Sequence, residues 1–224
     1  MVSAESFVIA VGHARTTAIS YRADHARAGV VIAHGAGAPQ THPWMVTISR
    51  MLSERALHVV TFNFLYAETK RRVPDRNEAL ETTWRAVIAA VRQRTDVPQG
   101  RLYIGGKSMG GRIATQVAAG GGVGDLAGLI LLGYPLHPPG KPHQLRTSHL
   151  PLVRAPMLFI HGSRDPFGTP DELGPVVRDL SPGTRLFVIE GGDHSLALPK
   201  SKGQTLEQRL ARVADEIERF IETR

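Results

Sequence analysis

Leu102-Tyr103-Ile104-Gly105-Gly106-Lys107-Ser108-Met109-Gly110-Gly111-Arg112-Ile113-Ala114 reads as a strand, a tight turn and a helix in immediate succession. The apolar run 102–104 leads in, and small and apolar residues at helical spacing (Ile113, Ala114, Val117, Ala118) lead out. Between them Gly106-Lys107-Ser108-Met109-Gly110 is a G-x-S-x-G, the pattern that places a serine hydroxyl on a strained turn at the top of a sheet. The two outer glycines are expected where neighbouring backbone comes too close for a side chain, or where φ is positive. Gly106-Lys107-Ser108 also resembles the tail of a phosphate-binding loop, but the register fails. That motif requires a glycine at 101, which is Arg, and it would turn the strand 102–104 into loop.

Outward from this stretch, the chain reads as an alternation of strands and helices. Residues 6–11 and 17–21 form two short strands joined by Gly12-His13-Ala14-Arg15, a hairpin at a sheet edge. Gly29-Val30-Val31-Ile32-Ala33 is continuously apolar, as a strand covered on both faces must be, and runs into His34-Gly35-Ala36-Gly37. A helix is expected from about Pro43 to Ala56, then a strand at 58–62 and a polar, irregular segment from Asn63 to Arg76. Asp75 with Glu78 three residues on predicts a capping box opening the helix that carries Leu80, Trp84, Val87, Ile88 and Val91. Beyond the 102–114 stretch come a strand at 129–132, a Pro- and His-rich loop at 134–153, a strand at 157–160, a helix at 170–180, a strand at 185–189 and a helix at 206–221. This order predicts one three-layer α/β domain over residues 1–224: a mostly parallel sheet with helices on both faces, an antiparallel edge, and no large cap.

Composition removes several classes of chemistry. No cysteine occurs, which excludes disulfides, thiolate catalysis and cysteine metal sites. Phe7–Val11 is too short for a signal-peptide core and follows Glu5 rather than basic residues. With no run of about 18 apolar residues either, a cytoplasmic protein without a membrane span is the expectation. The net charge of +7 is spread along the chain without a basic helix or an aromatic-interleaved stripe, so no nucleic-acid partner is expected. His137, His143 and His149 lack ligand spacing, and neither a metal nor another cofactor is expected. Oligomeric state is left unassigned.

In sheets of this kind ligands bind beyond the carboxyl ends of the strands, so partners for Ser108 are sought there. A serine hydroxyl needs a base, usually histidine, held in one tautomer by a carboxylate, and the chain order is serine, acid, histidine. His194 is the only histidine after Asp165, and it follows the strand 186–189. Asp165 follows the strand 157–160, whereas the turn after 129–132 holds no acid. Asp193 is the poorer orienter, since adjacent side chains point apart. Oxyanion donors are assigned to the N–H groups of Met109 and Ala36. His34 supports the site without being a catalyst. His34, Gly35, Phe64, Tyr66 and Lys107 are assigned to the substrate site, while the charges of Lys107, Arg112, Lys141 and Arg146 read as solvated surface rather than as a selector for acidic substrates.

His34-Gly35-Ala36-Gly37, Phe62-Asn63-Phe64 with Tyr66, Arg71-Arg72-Val73-Pro74-Asp75 and Gly105–Arg112 together give the chain a resemblance to the α/β-hydrolase superfamily over nearly its whole length. Within that superfamily they are similar to the small dienelactone-hydrolase-like group containing testis-expressed hydrolase-like proteins and a subunit of the nonspecific-lethal acetyltransferase complex. The resemblance implies a compact fold without a large cap and a Ser, Asp, His triad at Ser108, Asp165 and His194, with no settled substrate. Leu65 stands where the group has proline, and Ser108 where true dienelactone hydrolases carry cysteine, which argues against dienelactone as substrate. The resulting expectation is a serine hydrolase acting on a small-molecule ester or thioester of a short acyl group. A non-catalytic interaction subunit on the same scaffold, and a serine peptidase, are the alternatives.

Overall fold

The strand that leads into Ser108 lies inside an eight-stranded sheet. A computed structural model of the chain describes residues 4–197 and 205–223. The strands are β1 (Ala4–Val11), β2 (Ala14–Tyr21), β3 (Ala28–Ala33), β4 (Leu57–Phe62), β5 (Leu102–Lys107), β6 (Gly128–Leu132), β7 (Met157–Gly162) and β8 (Arg185–Ile189), in the spatial order β1-β2-β4-β3-β5-β6-β7-β8. β1 and β2 form the expected hairpin at one edge, and β2 meets β4 antiparallel; every other pairing is parallel. From β3 the chain goes one way to β4 and then the other way to β5. That reversal leaves a crevice at the carboxyl ends of β3 and β5, where the loop 34–37 and Ser108 emerge.

β3, β4, β6 and β7 are buried at every residue, and β5 at all but Lys107, as the apolar runs at 29–33, 129–132 and 157–160 require; the polar His58 and Thr61 of β4 are buried with hydrogen-bond partners in Ser20 and Gln40. Alternate side chains serve two cores. Ile104, Leu129, Leu131 and Phe159 face Trp84, Val87 and Val91 of α3 (Asn77–Arg92) and Ile113 and Val117 of α4 (Met109–Ala119). Tyr103, Ile130, Leu132 and Ile160 face Trp44, Ile48 and Leu52 of α1 (Pro43–Ser53) and Leu210, Val213, Ile217 and Phe220 of α6 (Leu206–Glu222). The predicted three-layer architecture is the one observed. Residues 134–153 form a loop with one short helical turn at Leu150–Leu152, and among the described residues no separate cap covers the sheet.

Two local expectations need correction. The segment 63–76 is not wholly irregular, because α2 (Leu65–Glu68) sits in it. The capping box at Asp75 does not form: α3 begins after Arg76, which makes no side-chain cap, and the Asp75 carboxylate pairs instead with Arg71 at 2.7 Å. A guanidinium four residues back holds that carboxylate away from the helix amides. Capping boxes do form at Thr169 with Glu172, opening α5 (Pro170–Arg178), and at Thr205 with Gln208, opening α6.

Candidate functional site

The turn at Ser108 takes its shape from close backbone packing. A β-carbon on Gly106 would stand 2.4 Å from the Ala33 oxygen, and one on Gly110 2.6 Å from the oxygens of Ala33 and His34, so both positions exclude any side chain. Neither glycine takes the positive φ; Ser108 itself does, at φ 50° and ψ −116°. That is a sparsely populated backbone region for a residue with a β-carbon, held by the elements on either side. The Ser108 amide donates to Leu132 at 2.9 Å, and its carbonyl accepts the Arg112 amide at 3.0 Å, the first turn of α4.

Ser108, His194 and Asp165, 86 and 29 residues apart in sequence, lie in one hydrogen-bonded line. Ser108 Oγ is 2.8 Å from His194 Nε2, and His194 Nδ1 is 2.7 Å from Asp165 Oδ2. With Nδ1–H donated to the carboxylate, Nε2 is free to accept from the hydroxyl. The Asp165 carboxylate is fully enclosed, and its second oxygen accepts the Phe167 amide at 2.8 Å, while the His194 side chain is 20% exposed. A buried acid beside a partly open imidazole lets solvent or a small molecule reach the ring and not the carboxylate. Asp193, the rejected alternative, points elsewhere: its carboxylate accepts the amides of Ser195 and Ala197 and closes the turn that carries His194.

Sequence reasoning missed four neighbours of this line. The Phe167 ring lies 4.2 Å from the His194 ring. His161, fully buried, donates from Nε2 to the Gly168 carbonyl at 2.7 Å and stands 3.6 Å from Asp165 Oδ2. Burial holds it below the ordinary histidine pKa, so it stays neutral beside the carboxylate. Gly133, at φ 64°, backs onto the His194 carbonyl, and Trp44 Nε1 donates to Ser195 at 2.9 Å. The available signal for Phe167 and His161 was their place in the loop and strand around Asp165; nothing local marks Trp44, which arrives from α1.

The loop 34–37 lies against the turn that carries Ser108. A β-carbon on Gly35 would be 3.7 Å from that of Ser108. Met109 opens α4, and the opening amides of a helix have no carbonyl four residues earlier to bond. The carbonyl of Ala36 accepts the Tyr66 hydroxyl at 3.1 Å, which fixes the loop from below. His34 does the same from inside: Nδ1 donates to Gly35 at 2.7 Å and Nε2 accepts the Phe64 amide at 3.1 Å. Desolvation pulls its pKa down to about 4 despite the Gly35 bond, so it is neutral at physiological pH. Burial, with Asp75 adding to it, pushes the Tyr66 phenol up to about 12, so Tyr66 remains a donor. His34, Phe64 and Tyr66 are all buried and packed ring against ring, and therefore shape the loop rather than offer a ligand a surface. Lys107 also departs from expectation. It is not solvated surface: its Nζ donates to the His194 carbonyl at 3.2 Å.

Residues 26–222 match the family described as the alpha/beta hydrolase domain. Among solved structures, the chain is similar to a dienelactone hydrolase from Anabaena variabilis (TM-score 0.78, 20% identity, 99% of this chain and 98% of that one). It is also similar to an alpha-beta serine hydrolase homologue from Coxiella burnetii (TM-score 0.75, 20% identity, 98% and 97%). A third is an a/b serine hydrolase without lid from Xanthomonas campestris (TM-score 0.74, 17% identity, 99% and 94%). At these identities the three likenesses speak for the fold, whereas the family match spans most of the sequence. The chain belongs to the alpha/beta hydrolase domain family.

Proposed function

We propose that this protein is a serine hydrolase that cleaves a small-acyl ester or thioester through an acyl-enzyme. The observation that carries the reading is the pair of contacts at 2.8 and 2.7 Å joining Ser108, His194 and Asp165. Ser108 Oγ attacks the carbonyl carbon while His194 Nε2 takes its proton, and Asp165 holds the imidazole in the required tautomer. The N–H groups of Met109 and Ala36 receive the oxyanion. His194 returns the proton to the departing alkoxide or thiolate, leaving an ester on Ser108. Water, deprotonated by His194, then attacks that ester, releasing the acid and restoring the serine.

Among the described residues no cap lies over the sheet, and an uncapped site favours short acyl groups over long chains that need an enclosed tunnel. The serine nucleophile argues against dienelactone itself. The narrower likeness to testis-expressed and acetyltransferase-complex proteins rests on four sequence motifs and brings no substrate with it. A scaffold kept only for binding has no use for an enclosed carboxylate aligned on an imidazole and a strained serine together. We place the reaction in the cytoplasm, and among the described residues no helix is long and apolar enough to cross a membrane. Labelling with a fluorophosphonate tests the reading: wild-type protein takes the label and Ser108→Ala does not, and equal labelling of the two sinks the assignment.

A further inference from the structure

Lys107 ends β5 with its side chain folded beneath the loop that carries His194. Its Nζ donates to the His194 carbonyl at 3.2 Å and stands 5.5 Å from the centroid of the Trp44 ring. The same indole donates to the next carbonyl, Ser195, at 2.9 Å. Two successive carbonyls of the loop are thus held from β5 and α1, while Asp193 holds its amides from within.

We propose that Lys107, seated on the face of Trp44, is a positioning residue that sets the His194 imidazole at its distance from Ser108, and that turnover requires its ammonium form. The inference rests on Ser108 and His194 acting as nucleophile and base. An ammonium makes a charge-assisted bond to a carbonyl and is drawn to an indole face; a neutral amine gives a weaker bond and loses the attraction to the ring. The charged groups facing Lys107 are the carboxylates of Asp165, after β7, and Asp193, after β8. From the loop after β3, uncharged Gly35 lies against its stem, with a β-carbon position 3.9 Å from Lys107 Cγ. Desolvation lowers the lysine pKa and the two carboxylates oppose that, with desolvation the larger effect. The ammonium is therefore lost at lower pH than on an exposed lysine.

The test compares wild type with Lys107→Met, close in bulk and uncharged, and Lys107→Arg, which keeps the charge. Hydrolysis of 4-nitrophenyl acetate is followed from neutral to alkaline pH. The expected result is a kcat roughly 10–100-fold lower in Lys107→Met with KM little changed, since a small misplacement of a reacting group costs about that much. The wild-type decline at alkaline pH disappears in Lys107→Met, and Lys107→Arg restores most of kcat with the decline moved upward. Trp44→Phe, which keeps a ring and loses the bond to Ser195, lowers kcat in the same direction. A readout free of turnover is the low-field proton resonance of His194 Nδ1–H: sharp in wild type and Lys107→Arg, broadened or shifted in Lys107→Met. Wild-type kcat and alkaline limb in Lys107→Met, or an unaltered resonance in that variant, overturns the proposal. A wild type that neither turns over esters nor takes a fluorophosphonate sinks the hydrolase reading instead, and the resonance then decides the Lys107 proposal alone.

Discussion

Gly133 backs onto His194 so closely that a β-carbon there would stand 2.8 Å from the His194 carbonyl oxygen and 3.5 Å from Nδ1. The loop after β6 contributes no chemical group to the site, yet its first residue sets how near the imidazole loop comes. Gly133→Ala adds both that contact and an unfavourable positive φ, so stability falls by about 1–2 kcal/mol and ester turnover by tenfold or more. Thermal unfolding and kcat, measured on one preparation, check both; an unchanged kcat would show that the loop yields without moving the imidazole.

Removing the proposed base or its proposed orienter separates the roles in the Ser108, His194, Asp165 line. His194→Ala lowers kcat by about 10³-fold or more, and Asp165→Asn by a comparable factor, because an amide in place of the carboxylate favours the wrong imidazole tautomer. Folding and KM stay near wild type in Asp165→Asn, since the Phe167 amide keeps an acceptor at Oδ1. Steady-state kinetics with an activated ester check this, and near wild-type kcat in His194→Ala would mean a different base.

Acid should loosen the loop 34–37 through His34. Its folded pKa, about 4, lies below that of an unfolded histidine near 6.5, so between these values the unfolded chain binds the extra proton. Stability is fully present above about pH 6.5 and is lost as pH falls through that window, by up to about 3 kcal/mol from this residue at ~1.4 kcal/mol per pH unit. Charged His34 would also point an N–H at the Phe64 amide it now accepts from. Urea midpoints of wild type and His34→Gln at about pH 7.5 and 5 test it. Wild type loses more stability across the interval, and the remaining slope in the variant comes from His58, His149 and His161, all shifted down by burial.

Thr169→Ala serves as a control on stability alone. It removes the side chain that accepts the Glu172 amide at the start of α5, costing about 1 kcal/mol. Fluorophosphonate labelling of Ser108 is expected to persist unchanged, and its loss would tie the anchoring of α5 to the position of Asp165.

The sequence made the succession of strands and helices legible, and pointed to Ser108, Asp165 and His194, because both readings rest on local signals and chain order. Buried parallel strands are unbroken apolar runs such as 129–132 and 157–160, and chain order left one histidine after Asp165. What stayed hidden depends on through-space competition. The Asp75 carboxylate has the right spacing for a helix cap, but Arg71 reaches it first. Lys107 looks like any charged residue on a turn until the fold brings Trp44, more than sixty residues earlier, and the His194 carbonyl to its ammonium. Phe64 and Tyr66 stand in a polar segment that reads as open loop, yet their rings pack against His34 and out of solvent. The sequence points to 64–72, the loop 134–153 and 196–202 as the segments that shape the pocket, and of these 198–202 lie outside the described residues.

The backbone of Ser108 carries an evolutionary implication. At φ 50° and ψ −116°, glycine fits without penalty, and a serine there costs on the order of 1–3 kcal/mol. Ser108→Gly should therefore raise Tm while abolishing labelling. A lineage selected for folding alone would drift downhill toward glycine at this position, so under the proposed function the serine is a running expense offset by its reactivity. Heat and catalysis pull this one residue in opposite directions, and thermal selection applied without an activity screen is expected to erase the nucleophile first.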